Sequence, residues 1–266
     1  MLANVATFMA PKRGAPSEEC EDALWVSPNC EGEFEGASLR VVVSDGASES
    51  LQAGRWARRL SSTFGSGAAS PVRTRAAFLS AYRAAVGGWE QEITEYAAER
   101  ESRNAPIQWF EDRGLQTGSH ATIVAVEFLD ARGTRGPTWR GGAVGDSCVF
   151  QVRDERLYAS FPIVDADAFT SRPPLLASRG ARDEVVVRHI NACSGDWEHG
   201  DSFYVVTDAL AAWFLRSVGD GKRPWAPLRD LTSLDFDLDF DAWVNDQRDT
   251  GDMHNDDTTL VRVDFY

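Results

Sequence analysis

Four aspartates stand where runs of apolar, strand-forming residues begin or end. Asp45 follows such a run in Val-Ser-Asp-Gly-Ala, and Asp146 lies in Gly-Asp-Ser-Cys between two further runs. Asp208 ends the run Val-Val-Thr-Asp, and Asp256 opens the last one in Asp-Asp-Thr-Thr-Leu-Val. Strand ends at one edge of a sheet lie close together, so carboxylates that are far apart in sequence can share one cleft.

Carboxylates gathered in this way repel one another unless they are protonated or bind hard cations. Mg²⁺ and Mn²⁺ prefer oxygen ligands of this kind and keep several of their waters. Two such ions about 3.5–4 Å apart can activate a water and stabilise the charge that develops in an in-line phosphoryl displacement. The pattern therefore indicates metal-dependent hydrolysis of a phosphate ester, and by itself leaves a protein phosphatase, a small-molecule phosphatase and a nuclease open.

Hydrophobic periodicity predicts the elements that must position these aspartates. Apolar residues at three- and four-residue spacings predict helices over residues 51–64, 73–100, 209–218 and 242–248, with Gly87-Gly88 bending or dividing the second. Gly145-Asp146 is typical of a hairpin turn. β-branched runs predict strands over residues 39–44, 121–128, 139–144, 148–152, 184–190, 202–206 and 259–263.

Composition restricts the possible partners. The chain has 266 residues, an apolar share of 43% and a formal net charge of −14. Nucleic acids and anionic membranes need a basic face, so neither is an expected partner, and a nuclease is disfavoured. No leader or membrane span is evident, which predicts a cytoplasmic protein. We expect a single domain over residues 1–266, with an irregular flap around residues 160–182 that is rich in Pro, Asp, Ser and Ala.

The motifs recur in an order that resembles a known family. Glu21-Asp22, Asp45-Gly46, Gly145-Asp146-Ser147, Thr207-Asp208 and Asp256-Asp257-Thr258-Thr259 resemble the series found in metal-dependent protein phosphatases of the type 2C (PPM) family, in a bacterial-type single-domain form. Each motif alone is weak, and five in order are fairly specific. The resemblance implies an α+β fold, a four-layer α-β-β-α sandwich in which helix pairs flank two central antiparallel sheets.

The resemblance also implies roles for individual residues, with Mn²⁺ or Mg²⁺ as the cofactor. Asp45 would bridge two ions, the Gly46 carbonyl would bind the first, and Asp208 and Asp256 would hold the second. Asp146 matches the position of a weaker third ion. Two further acids, Glu21 and Asp22, would orient the waters around the ions.

Departures from the family pattern affect substrate handling rather than metal binding. Ala209 and Cys148 replace the family's usual glycine and arginine beside two ligands, and Ala47 stands where some members carry a histidine proposed as general acid. Ser17 replaces a phosphate-binding arginine. A dianionic substrate still needs a positive contact, so we predict that Arg13, in a Gly- and Pro-rich loop, helps to bind phosphate.

Two functions follow from these expectations. One is a protein-serine/threonine phosphatase that hydrolyses phosphoserine or phosphothreonine with water activated by two cations. The other is a pseudophosphatase that binds a phosphorylated partner or a kinase. Retention of the three direct carboxylate ligands favours the enzyme. The expected partners are a phosphorylated protein substrate and a cognate serine/threonine kinase, and the chain is expected to be a monomer.

Overall fold

Two antiparallel sheets form the centre of the molecule. The computed structural model describes residues 1–28, 31–131, 136–231 and 238–266. Its strands are β1 Leu2–Ala10, β2 Ala23–Ser27, β3 Gly32–Glu35, β4 Ser38–Ser44, β5 His120–Ala121, β6 Ile123–Leu129, β7 Thr138–Val144, β8 Cys148–Arg153, β9 Arg156–Phe161, β10 Leu176–Ala177, β11 Asn191–Asp196, β12 Ser202–Val206 and β13 Thr258–Phe265. One sheet has the order β3-β1-β13-β12-β8-β9 and the other β11-β7-β6-β4-β2, while β5 and β10 pair separately.

Helices cover the outer faces of both sheets. The predicted break at Gly87-Gly88 is confirmed, because one helix ends at Gly87 and the next begins at Trp89. A Cβ atom at Gly88 would lie 1.4 Å from the Arg59 guanidinium, so a larger residue there would displace the Arg59 side chain. No helix in the described ranges is both long and apolar enough to cross a membrane. The helices are α1 Ala53–Ser66, α2 Arg75–Gly87, α3 Trp89–Ser102, α4 Trp109–Thr117, α5 Asp183–His189, α6 Asp208–Gly219, α7 Trp225–Asp230 and α8 Leu238–Asp249.

Three buried apolar clusters separate the four layers. The central cluster lies between the two sheets and includes Val41 and Val261. A second cluster packs α1 and α2 on the five-stranded sheet through Trp56, and a third packs α6 and α8 on the six-stranded sheet through Phe214 and Phe240. This arrangement confirms the predicted α+β fold with α-β-β-α layers.

The strand predicted over residues 184–190 is wrong, because this segment forms helix α5. Three consecutive valines imitate a strand, and only Val186 among them is buried. Asp183 and Glu184 lie in the first turn and Arg188 and His189 in the last, an arrangement that the helix dipole favours. The strand of this region is the next segment, β11, which pairs with β7.

The hairpin predicted at Gly145-Asp146 is also wrong. Strand β7 pairs with β6 and β11, whereas β8 pairs with β12 and β9, so this turn carries the chain from one sheet to the other. Gly145 has a φ of 103°, and a Cβ atom there would lie 2.5 Å from the Thr122 side chain. The turn is therefore close-packed as well as left-handed, and it places Asp146 at the junction of the two sheets.

Candidate metal centre

The strand registers bring the aspartates to one end of both sheets. In the five-stranded sheet Ala23 pairs with Ser44, so Asp22 before β2 and Asp45 after β4 are neighbours. In the six-stranded sheet Val206 pairs with both Cys148 and Leu260. The end of β12, the start of β8 and the start of β13 therefore meet, which the sequence predicted for the strand ends.

The four aspartates Asp45, Asp146, Asp208 and Asp256 line one cleft of about 790 Å³. The backbone of Gly46 and a wall formed by residues 170–175 and by parts of α4 also line it. Asp22 is only 2% exposed and lies beneath them. The structure thus brings together every aspartate predicted to bind a metal ion, which are Asp45, Asp146, Asp208 and Asp256.

Packing explains why glycine follows Asp45. A Cβ atom at Gly46 would lie 2.7 Å from the Ala53 carbonyl carbon and 2.8 Å from the Glu21 carbonyl oxygen. The Gly46 N–H donates to that same oxygen at 3.2 Å, and the Thr122 N–H donates to the Asp45 carbonyl at 2.8 Å. Any side chain at residue 46 would push apart the segments that carry Asp45 and Glu21.

Glu21 and Asp22 are held by different partners. Asp22 Oδ2 accepts hydrogen bonds from the hydroxyls of Thr207 at 3.0 Å and Thr259 at 2.7 Å, while Oδ1 is buried and has no hydrogen-bond partner. Glu21 Oε2 accepts from the Ser48 hydroxyl and, at 3.2 Å, from Lys12 Nζ. Asp22 is therefore fixed with one oxygen open, and Glu21 is partly neutralised.

Asp257 fixes the backbone around the site, a role that sequence reasoning missed although the residue belongs to the last motif. It is 3% exposed, and its carboxylate accepts from the backbone N–H groups of Lys12 at 2.7 Å and Glu21 at 2.8 Å. Arg248 adds bonds to the carbonyls of Pro11 at 3.0 Å and Asp256 at 2.5 Å. Together they fasten the loop before Glu21 to the start of β13.

Burial and mutual repulsion raise the pKa values of the cleft carboxylates. Burial raises the pKa of Asp45 well above its usual range, and repulsion from the other four aspartates adds to this. The pKa of Asp146 rises to about 7, through burial and then repulsion from Asp208. Burial and the charge of Asp256 raise the pKa of Asp208 to about 6. In this cleft, charge is concentrated without enough cations to balance it.

The donor set fits a hard divalent cation. Asp22, Asp146 and Asp208 each keep a buried carboxylate oxygen without a hydrogen-bond partner, which is costly unless something else binds it. No three His, Cys, Asp or Glu side chains in the described ranges converge closely enough to form a metal cage by themselves. Mg²⁺ and Mn²⁺ do not require such a cage, since they complete their coordination with water.

Arg13, predicted to bind phosphate, is directed at helix α8. Its Nη1 lies 2.8 Å from Asp249 Oδ1, and its Nη2 donates to the Asn245 carbonyl at 3.2 Å. The basic side chain that lines the cleft in the described part of the chain is Arg172, in the flap predicted around residues 160–182. Sequence reasoning did not identify it, because no spacing relates the flap to the aspartates.

Comparison with known proteins finds solved structures of similar fold. No family model matches the sequence, and no curated protein is significantly similar to it. A bacterial serine phosphatase superposes with a TM-score of 0.60 at 12% identity, over 98% of this chain and 97% of that one. The Mycobacterium tuberculosis serine/threonine phosphatase PstP/Ppp gives 0.56 at 15% identity, over 100% and 99%. The catalytic domain of PstP in complex with two manganese ions gives 0.53 at 14%, over 99% of each chain.

Identities this low carry information about the fold alone. The superpositions nevertheless span nearly the whole chain. They confirm, at the level of the fold, the resemblance carried by the sequence motifs. The fold is that of the metal-dependent protein phosphatases of type 2C (PPM).

Proposed function

We propose that this protein is a metal-dependent phosphatase that hydrolyses phosphoserine or phosphothreonine on a protein substrate. The observation that carries the proposal is the cleft itself. Five aspartates from five separate chain segments meet there, three of them with buried, unpartnered oxygens. An arrangement that costs this much electrostatic free energy in the absence of cations is expected only where cations bind. Solved structures of the same fold include serine/threonine phosphatases and one manganese complex.

The residues that would hold the ions follow from the motifs. Asp45 would contribute to both ion positions, the Gly46 carbonyl to the first, and Asp208 and Asp256 to the second. Asp146 would hold a weaker third ion. Bound Mn²⁺ or Mg²⁺ would supply positive charge that activates water and stabilises the transferring phosphoryl group.

The chain's own groups would position water and substrate around that charge. Asp22, fixed by two threonine hydroxyls, keeps one buried oxygen without a partner and would orient a water with it. Glu21 is held by Lys12 and by Ser48, which lines the cleft, and would orient a second water. The cytoplasmic location, the kinase partner and the monomeric state expected from the sequence stay predictions.

A metal-dependence assay tests the proposal. The purified chain, stripped with a chelator and dialysed, should show no hydrolysis of p-nitrophenyl phosphate or of a phosphothreonine peptide. Added Mn²⁺ or Mg²⁺ should restore both activities, and okadaic acid should not inhibit them, as the family resemblance implies. Full activity after exhaustive metal removal would contradict the metal centre. A pseudophosphatase would instead bind the phosphopeptide with no turnover at any Mn²⁺ concentration.

A further inference from the structure

The cleft has an imbalance of charge that a phosphorylated substrate must overcome. Five carboxylates line it, because Glu49 joins the four aspartates predicted as ligands. Phosphate monoesters carry up to two negative charges, so the cleft needs a cation beyond those the carboxylates neutralise. Among the described residues that line it, Arg172 is the single lysine or arginine.

Arg172 lies in the middle of a segment that is anchored on both sides. Just before it, Phe169 and Ala166 pack against the apolar cluster beneath α6. Just after it, Leu176 is completely buried, pairs with Ala121, and accepts a hydrogen bond from the Trp56 indole at 2.8 Å. Short tethers on both sides limit how far Arg172 can move from the cleft.

The segment also contacts the turn that carries Asp146. A Cβ atom built on Gly145 would lie 3.2 Å from the Pro174 carbonyl oxygen, so the backbone two residues beyond Arg172 rests on that turn. Arg172 therefore belongs to a wall of the cleft that the four aspartates also line.

Unlike Lys12, Arg13 and Arg179, Arg172 has no carboxylate partner in the described part of the chain. Lys12 is paired with Glu21 at 3.2 Å, and Arg13 with Asp249 at 2.8 Å. Arg179, further along the flap, donates to Glu90 at 2.8 Å. In a chain of net charge −14, an exposed arginine that lines a cleft without an ion pair keeps its donors for a ligand.

We infer that Arg172 binds the phosphate group of the substrate, as the counterpart across the cleft of the cations held by the aspartates. This inference rests on the proposed function. A planar guanidinium can donate two parallel hydrogen bonds to two phosphate oxygens, which lysine cannot reproduce. Arg172 then supplies the positive contact to the substrate phosphate. Ser17 has no charge for this role, and Arg13 is paired with Asp249 instead.

The test compares Arg172→Ala and Arg172→Lys with two controls in the full chain. Arg182→Ala removes an exposed arginine of the same segment, and Arg13→Ala tests the alternative phosphate ligand. The primary probe is inorganic phosphate, measured by calorimetric binding to the Mn²⁺-loaded protein and as a product inhibitor. Phosphopeptide kinetics and the Mn²⁺ concentration for half-maximal activity are measured in parallel.

We expect Arg172→Ala to weaken phosphate binding by about ten- to a hundredfold and to lower kcat/KM for the phosphopeptide similarly, mainly through KM. Arg172→Lys should recover part of the loss. The half-saturating Mn²⁺ concentration should stay unchanged in both, and Arg182→Ala should behave as wild type. A folding defect would instead change the Mn²⁺ requirement and the melting temperature together.

The outcomes separate this inference from the function on which it rests. If wild type turns over the phosphopeptide and Arg172→Ala binds phosphate as tightly as wild type, the inference is overturned and the proposed function stands. The same holds if Arg13→Ala, rather than Arg172→Ala, weakens binding. If wild type binds phosphate but has no turnover, the hydrolase proposal fails, and loss of binding in Arg172→Ala still supports the phosphate contact. Absence of both binding and turnover in wild type overturns both.

Discussion

The two ends of strand β12 carry buried aspartates in opposite environments. Asp201, just before the strand, is 1% exposed and fully satisfied. Its Oδ1 accepts from Arg153 Nε at 2.8 Å, and its Oδ2 accepts from Arg153 Nη2, from Gln151 at 2.8 Å and from the Glu198 N–H at 2.9 Å. The bidentate arginine pair and the two neutral donors leave no oxygen open.

Asp208, just after the same strand, has no arginine partner among the described residues, and only the backbone of Ala209 and the charge of His254 oppose the rise of its pKa. One of its oxygens is buried without a partner, and burial together with Asp256 raises its pKa to about 6. Asp201, which serves the fold, is thus surrounded by donors, whereas Asp208, which we propose binds a cation, keeps one oxygen open. The comparison teaches that satisfaction of the buried carboxylate, and not burial alone, distinguishes structural from functional acids in this molecule.

The largest expected effect comes from neutralising two of the proposed metal ligands. Asp45→Asn and Asp208→Asn should each lower kcat by roughly three orders of magnitude or more at saturating Mn²⁺, because the ligand charge that holds the cations is lost. The metal-free variants should melt no lower than wild type, since repulsion is relieved. Steady-state kinetics and thermal unfolding measure the two effects. Near-normal turnover of either folded variant would remove that residue from the ligand set.

Replacing Asp201, whose carboxylate is fully hydrogen-bonded, should instead lower stability and leave turnover nearly unchanged. Asp201→Ala leaves the Arg153 guanidinium partly buried without its main partner, so the free energy of unfolding should fall by about 3–5 kcal/mol. Turnover per folded molecule should stay near wild type well below the melting temperature. Asp196→Ala is the matched control, because that partner of Arg153 is 57% exposed and its pair should contribute at most about 1 kcal/mol. Equal losses of stability in both variants would contradict the comparison.

A smaller, pH-dependent effect is expected at Asp146. Its folded pKa of about 7 lies above the usual value of 3.8, so the folded state binds a proton that the unfolded state releases between those values. The contribution of this group to stability is therefore present at low pH and lost as pH rises towards about 7. Asp146→Asn should raise the melting temperature of the metal-free protein relative to wild type at about pH 8, by a few degrees for roughly 1–2 kcal/mol.

The matched measurement is the same pair of proteins at about pH 5, where wild-type Asp146 is largely protonated when folded and the difference should shrink. Scans of both proteins in chelator at the two pH values give the result. A difference in melting temperature that does not change with pH would show that Asp146 is not perturbed as the structure indicates.

Most of the sheets could be predicted from sequence, since β4, β6, β12 and β13 consist of β-branched runs with clear ends. Strand β1 was not predicted, although it pairs with β13 from Ala3 to Ala10, because its alanines and Asn4 carry little strand propensity. The three valines of α5 gave the reverse error. In both places neighbouring elements decide the structure more than local propensity does.

The site was predictable to the extent that its residues sit in motifs. The four aspartates that we propose as ligands lie next to strand ends, so their convergence could be expected before the topology was known. The crossing of the Asp146 turn between sheets could not, because a Gly-Asp pair is equally typical of a hairpin. Arg172 and the support of Asp257 to Lys12 and Glu21 depend on tertiary packing, which no spacing in the sequence records.

The crossing of the chain between the two sheets at Gly145-Asp146 has a thermodynamic consequence. Asp22 and Asp45 adjoin the five-stranded sheet, while Asp208 and Asp256 adjoin the six-stranded one. The cleft therefore exists only when the sheets are docked face to face. A ligand that binds both sets must stabilise the docked state by the free energy of its own binding, so cation occupancy and the cohesion of the central apolar layer are linked quantities.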